Sequence, residues 1–397
     1  MKNIVIVDSV RTAIGKLGGS IGNETVDRLG AHVIEELIHR TQFDKAAVDE
    51  VILGQAKQSS DVSNLARVAL LRAGLPVEVP GYTIHRQCGS GVQAVNSASQ
   101  QIAMGLSDAI IAGGAESMST APYYVNNVRF GTKSGDVLLK DPNTASQPGS
   151  QPTETYGELN MGITAENVAE KYGISREQQD EFAFESQQRT ARAIANGHFD
   201  SQIAPYPVKT RKGVTEFKTD EHPRETSLEK LAGLKPVFKE GGTVTAGNAS
   251  GRNDGAAALL IMSEEAAQKR GYQPKARVVA QASVGCSPEL MGMGPVQATF
   301  KALKQAGLKI EDIDVIELNE AFASQAVACI QELGADPERV NPNGGAIALG
   351  HPIGATGAIL LTKLTHELER TGKKYGVATL CIAGGMGIAT IIENLNA

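Results

Sequence analysis

The sequence predicts an α/β fold with strands covered by helices on both faces, and three observations carry that prediction. Apolar runs of four to six residues rich in Val and Ile alternate with amphipathic stretches of helical period, the pattern of buried strands between helix layers. The alternation occurs twice, in two similar halves. The chain also carries 43 glycines in 397 residues with no G-X-Y period, which places the excess at particular backbone sites rather than in a fibrous repeat.

In chain order the strand candidates are Ile4 to Val7, Val51 to Leu53, Ala109 to Ala112, Ala257 to Met262, Val315 to Leu318, Val377 to Ile382 and Ile388 to Ile392. An amphipathic helix is expected from Val92 to about Gly105. Between about 120 and 249 no comparable strand run occurs. Pro and Gly are frequent there, and one polar amphipathic helix, Ile163 to Asn196, is interrupted at Tyr172-Gly173. This block reads as an insertion.

The repeat is visible in the residues. VDEVILGQ at 48–55 is similar to DIDVIELNE at 312–320, and IIAGGAESMS at 110–119 to CIAGGMGIAT at 381–390. Cys88 lies 36 residues after Ile52, and His351 lies 35 after Ile316. Two copies of one strand-helix unit would therefore carry Cys88 and His351 at equivalent positions, and a pseudo-twofold packing would bring them together.

Composition excludes several classes. Hydrophobic residues make up 41%, too many for a disordered chain. Lys and Arg total 38 against 44 Asp and Glu, and no basic run appears, so no nucleic-acid partner is expected. No stretch approaches the roughly 18 apolar residues of a membrane helix. The opening MKNIVIVDSV lacks a charged-then-apolar signal and the closing ENLNA is not a peroxisomal address, so a soluble cytoplasmic protein is expected. Cys88, Cys286, Cys329 and Cys381 form no C-x-x-C pair and no zinc-finger spacing, which predicts free thiols and no metal site.

Four constellations carry chemistry. In His85-Arg-Gln-Cys88-Gly-Ser-Gly91 a thiol precedes a helix N-terminus, where the macrodipole and unpaired N–H groups favour thiolate, a nucleophile. In Asn341-Pro-Asn-Gly-Gly-Ala-Ile-Ala-Leu-Gly-His351-Pro-Ile-Gly-Ala-Thr-Gly357 one imidazole projects from a glycine-rich wall that matches neither G-x-G-x-x-G nor a Walker pattern. Cys381 stands at a strand end before Gly384, Gly385 and Gly387, where a thiol of ordinary pKa near 8.5 needs only a modest shift to act as acid or base. Asn319-Glu320 ends another strand. Asn319 reads either as a holder of a water or oxyanion or as a helix cap.

These motifs in this order, with GTVTAGNASGRNDGAAAL at 242–259 and SVRTAIGKLGG at 9–19, resemble the thiolase family over essentially the whole chain. The resemblance implies two similar βαβαβαββ halves packed as a five-layered αβαβα sandwich with an inserted loop domain. It implies an N-terminal domain over 1–265, with the insertion at about 120–249, and a C-terminal domain over 272–397.

It further implies a reversible Claisen condensation of two acetyl-CoA to acetoacetyl-CoA and CoA, through an acetyl group on Cys88. His351 would take the Cys88 proton, Cys381 would deprotonate the second acetyl-CoA, and Asn319 would fix a water at one oxyanion site. The backbone N–H groups of Cys88 and Ala383 would form the other. Contacts to coenzyme A are carried over to Arg224, Phe238, Ala246, Ser250, Ala321, Phe322 and Met161. No cofactor beyond the thioester substrates is implied, and the assembly would be a homotetramer, a dimer of dimers.

The sequence departs from the family at three positions, with Ala383 where Gly is usual, Asn160 where His is usual and Arg252 where Leu is usual. Arg86-Gln87-Cys88 and Val92-Gln93 lean toward 3-ketoacyl-CoA thiolases of broader chain length, whereas Met161 and the Met291–Pro295 loop resemble short-chain enzymes. A non-catalytic acyl-CoA-binding protein is the alternative from another class.

Overall fold

The computed structural model describes residues 2–211 and 213–397. The first half runs β1 (Ile4–Arg11), α1 (Val26–Thr41), β2 (Glu50–Gly54), α2 (Leu65–Arg72), β3 (Gly81–Ile84), α3 (Ser90–Ala103) and β4 (Ala109–Ser117). An inserted block follows, with α4 (Met161–Tyr172), α5 (Arg176–Ala195) and a hairpin of β5 (Tyr206–Thr210) and β6 (Gly213–Phe217). The half is then completed by β7 (Asn253–Ser263). The second half runs β8 (Ala276–Gly285), α6 (Gly294–Ala306), β9 (Val315–Leu318), α7 (Ala323–Leu333), α8 (Ile353–Thr371), β10 (Tyr375–Ile382) and β11 (Met386–Asn394).

The strands follow the order β9-β10-β11-β8-β1-β7-β4-β2-β3, and the two half-sheets meet only at Val5–Arg277 and Ile6–Ala276. Helices α1 and α2 cover the outer face of the first half-sheet, and α6 that of the second, with α7 packed beside α6. Between them α3 and α8 pack against each other and touch strands of both halves. Five layers, αβαβα, result. Strands β4 and β7 are buried at every residue because both of their faces carry helices, which is why they read as continuous apolar runs.

Two details differ from the sequence reading. β3 and β8 were not among the apolar runs. β3 is only half-buried along its length and β8 carries Arg277, Gln281 and Ser283, so neither shows a clean apolar pattern. In the second half the counterpart of β3 shrinks to one bridge between Ile316 and Val340, because the chain turns at once through Asn341 at φ 46. The interruption expected at Tyr172-Gly173 divides the 163–196 stretch into two helices: Gly173 ends α4 at φ 66, and Ser175 starts α5 with a capping box to Gln178.

The inserted block leaves and rejoins the sheet at paired positions, since Ser117 lies opposite Asp254 on adjacent antiparallel strands. No helix among the described residues is long and apolar enough to cross a membrane.

Candidate active site

The repeat places its two key side chains as its spacing predicts. Cys88 stands two residues before α3, and His351 two residues before α8. These helices can approach closely because glycines face each other's backbone: a methyl added at Gly91 would stand 2.6 Å from the nitrogen of Ala358. Both N-termini open into one cavity of about 180 Å³, lined by Cys88, His351 and Cys381 together.

The turn before Cys88 is strained and braced. Gln87 holds φ 46, a conformation few side-chain-bearing residues adopt. Ser90 steadies it, its hydroxyl donating to the Gln87 carbonyl at 2.6 Å and accepting from the Arg86 N–H at 2.9 Å.

Burial pushes the Cys88 thiol up to about 11, against the opposing pull of the Ala383 and Cys88 backbone N–H groups and the Lys57 charge. The expectation that the helix N-terminus alone would favour thiolate is therefore corrected. Desolvation of the charged form outweighs the macrodipole, and the thiol needs a base.

His351 is set up to be that base. The Thr356 hydroxyl lies 2.9 Å from the Pro352 carbonyl and 2.6 Å from His351 Nδ1; with its proton on the carbonyl it accepts from Nδ1–H. In that arrangement Nε2 is a buried lone pair, and it has no protein partner among the described residues. Burial, with the nearby Lys57 charge, lowers the imidazole to about 4, so the ring is neutral at pH 7. Asn253 accepts the His351 N–H at 2.9 Å and fixes the backbone.

Cys381 is the penultimate residue of β10 and is 1% exposed. Burial, and then the proximity of Cys88, raise its thiol well above the usual value. Ala383 lies outside the positive-φ region. Gly384 at φ 88 and Gly385 at φ 80 supply the turn instead, so alanine is unstrained and its N–H still points at the Cys88 sulfur.

Asn319 is fully buried, and neither its Oδ1 nor its Nδ2 has a protein partner among the described residues, although it does not itself line the cavity. A buried amide with both ends open is suited to a bound water. It does not cap α7, whose N-cap is Phe322.

Of the residues expected at coenzyme A, Met161, Phe238, Ser250, Ala321 and Phe322 line the cavity, with Phe238 edge-on to Phe322 at 6.3 Å. Arg224 does not. It lines a neighbouring open cavity with Lys16, His222 and Arg252, donates to the Ala246 carbonyl at 3.3 Å, and meets the first cavity only through Arg252, which lines both. Ala246 is exposed beside it.

The sequence reading missed Lys57, Asn143, Ser146, Gln147 and Ser150, which make the polar wall of the cavity, and Thr356, which sets the imidazole tautomer. For Thr356 a signal existed in its place within the glycine-rich motif. For the wall none did, since its residues lie in a loop that folds back on the core.

The family descriptions decide between scaffold and kinship. The thiolase N-terminal domain matches residues 4–265, and the thiolase C-terminal domain matches 272–394. The chain belongs to the thiolase family. As a thiolase it is 51% identical to the acetyl-CoA acetyltransferase of Escherichia coli K12, over 100% of both chains. It superposes on the crystal structure of the Bacillus anthracis acetyl-CoA acetyltransferase with a TM-score of 0.96, at 46% identity over 100% of this chain and 99% of the other. Human mitochondrial 3-ketoacyl-CoA thiolase in complex with CoA gives a TM-score of 0.94 at 44% identity, covering 99% and 98%.

Proposed function

We propose that this thiolase catalyses the reversible condensation of two acetyl-CoA to acetoacetyl-CoA and CoA. The observation that carries the reading is a neutral His351 with an unpaired Nε2 in the same cavity as two thiols, Cys88 and Cys381. The full-length identity to acetyl-CoA acetyltransferases supports it.

His351 Nε2 accepts the Cys88 proton, the sulfur attacks the acetyl thioester, and the expelled CoA sulfur takes that proton from His351 as it leaves. The backbone N–H groups of Ala383 and Cys88 receive the developing oxyanion, where each such donor is typically worth ~2.7–4 kcal/mol. Cys381 passes its proton to His351 Nε2, and its thiolate then removes a proton from the methyl of the second acetyl-CoA. The protonated His351 and a water held by Asn319 donate to the enolate oxygen, the nucleophilic carbon takes the acetyl group from Cys88, and the released Cys88 sulfur recovers the proton from His351.

The two thiols belong to different family domains, Cys88 to 1–265 and Cys381 to 272–397, so neither would act alone. Met161, Phe238, Ser250, Ala321 and Phe322 border the pantetheine and thioester, while Arg224 and Ala246 serve the distal part of coenzyme A. No further cofactor enters this scheme.

A homotetrameric assembly is part of the reading. Val128, Phe130, Leu138 and Leu139 in the inserted block expose apolar side chains that a partner copy would cover. A cytoplasmic setting accords with thioester substrates and free thiols.

A second reading, a thiolase accepting longer 3-ketoacyl chains, is favoured by the likeness to the human 3-ketoacyl-CoA thiolase. Measuring kcat/KM for thiolysis of acetoacetyl-CoA against 3-oxohexanoyl-CoA separates the two. Absence of any thiolysis, with no acetyl adduct on Cys88 by mass spectrometry, overturns both.

A further inference from the structure

The mechanism makes no use of the cation in the cavity. Lys57 is 7% exposed, lines the cavity with Cys88 and His351, and donates one hydrogen bond, to the Ser146 hydroxyl at 2.5 Å. An ammonium carries three donors, so two N–H groups have no acceptor among the described residues, and the Ser146 hydroxyl proton likewise has none.

The nearby carboxylates are engaged elsewhere. Glu116 accepts the backbone N–H groups of Ala56, Lys57 and Gly354 at 2.8–3.1 Å. Asp141 faces Arg252 at 3.5 Å and caps the turn at Asn143. The Lys57 charge lies within Coulomb reach of Glu116 and Asp141, yet neither accepts a hydrogen bond from its ammonium, and an alkyl chain laid against the two open N–H groups would leave them unsatisfied. The lining combines polar Asn143, Ser146, Gln147 and Ser150 with apolar Met161, Phe238, Met291 and Phe322, and Lys57 meets the polar group at Ser146.

We propose that Lys57 and Ser146 form a clamp for an acyl chain that ends in a carboxylate, so that Cys88 accepts ω-carboxyacyl groups besides acetyl. The proposal rests on the reading that Cys88 is the acyl carrier. In the cleavage direction the Cys88 sulfur adds to the C3 carbonyl of a 3-oxo-dicarboxylyl-CoA. The C2–C3 bond breaks, its electron pair takes a proton at C2, and acetyl-CoA leaves. The ω-carboxyacyl group stays on Cys88 with its distal carboxylate on the Lys57 ammonium, until CoA thiol takes the acyl group and its proton restores the Cys88 thiol.

The test compares 3-oxoadipyl-CoA with 3-oxohexanoyl-CoA, which have the same carbon chain and differ in a terminal carboxylate against a methyl, with acetoacetyl-CoA as reference. The wild-type enzyme is expected to cleave the carboxylate substrate with kcat/KM at least about tenfold above the methyl one, since a site built for a polar group rejects the analogue lacking it. Lys57→Met should collapse that ratio and Lys57→Arg should retain a preference for the carboxylate.

A wild-type ratio of one or less, with acetoacetyl-CoA still cleaved, overturns the clamp and leaves the thiolase reading standing. Equal loss on all three substrates in Lys57→Met, with the ratio unchanged, assigns Lys57 to the Cys88 thiolate and also overturns it. If the wild type cleaves none of the three, the activity reading fails and the clamp fails with it. The wild-type comparison needs no variant to fold.

Discussion

The hydroxyl of Thr356, five residues along the same chain, stands 2.6 Å from His351 Nδ1 and, with its own proton on the Pro352 carbonyl at 2.9 Å, accepts the Nδ1–H. Thr356→Val removes this acceptor and leaves a buried N–H unpaired, a loss of about 1–3 kcal/mol. We expect kcat to fall roughly 10- to 100-fold, which is that energy expressed as rate, with KM little changed. Thr356→Ser should restore most of it. A purely structural role would lower the melting temperature without moving the pH profile, so both are measured.

Cys88→Ala removes the sulfur proposed to carry the acyl group. Isotope exchange between acetyl-CoA and CoA should fall by roughly 10⁴-fold or more, the scale seen when a covalent nucleophile is deleted. Exchange at the wild-type rate would remove Cys88 from the reaction.

Cys381→Ala leaves the turn and cavity in place but takes away the second thiol. Acetylation of Cys88, read by intact mass, should persist, while condensation falls by about 10²–10⁴-fold, the usual contribution of a positioned acid–base group. Condensation surviving together with acetylation would show that another group is the base.

Acid should destabilise the native state through His351. Its folded pKa, about 4, lies below the ordinary 6.5, so between these values the unfolded chain binds a proton that the folded chain refuses. Stability is unaffected above pH 6.5 and falls as the pH drops toward 4, by on the order of 3 kcal/mol for this group. His351→Asn should flatten part of that decline in urea unfolding measured at pH 4.5 and 7. His222, also lowered to about 4 by burial, contributes a similar slope that the variant leaves untouched.

Gly91→Ala places a methyl against the backbone of α8, where neither helix has room to yield. A cost of about 1–3 kcal/mol and a lower melting temperature are expected. A variant as stable as the parent would mean that the contact between α3 and α8 is looser than described.

The strand-helix alternation was legible because buried strands between helices are apolar on both faces, as in Ala109–Ser117 and Asn253–Ser263. Cys88, His351 and Cys381 were legible because glycine-rich turns single them out and the repeat equates the first two. The polar wall was not, since the pairing of Lys57 with Ser146 joins residues 89 positions apart through a loop with no periodic signal. The raised Cys88 thiol was misjudged because local sequence shows a helix end but not the depth of burial around it.

The paired exit and return at Ser117 and Asp254 have a consequence for how this enzyme can change. Cys88, His351 and Cys381 hang from the sheet and its two central helices, while Asn143, Ser146, Gln147, Ser150, Met161 and Phe238 belong to a segment whose two ends are neighbours. Such a segment can lengthen, shorten or be exchanged without moving a strand. New acyl preferences can thus arise by remodelling one lobe, while bond making and breaking are inherited intact.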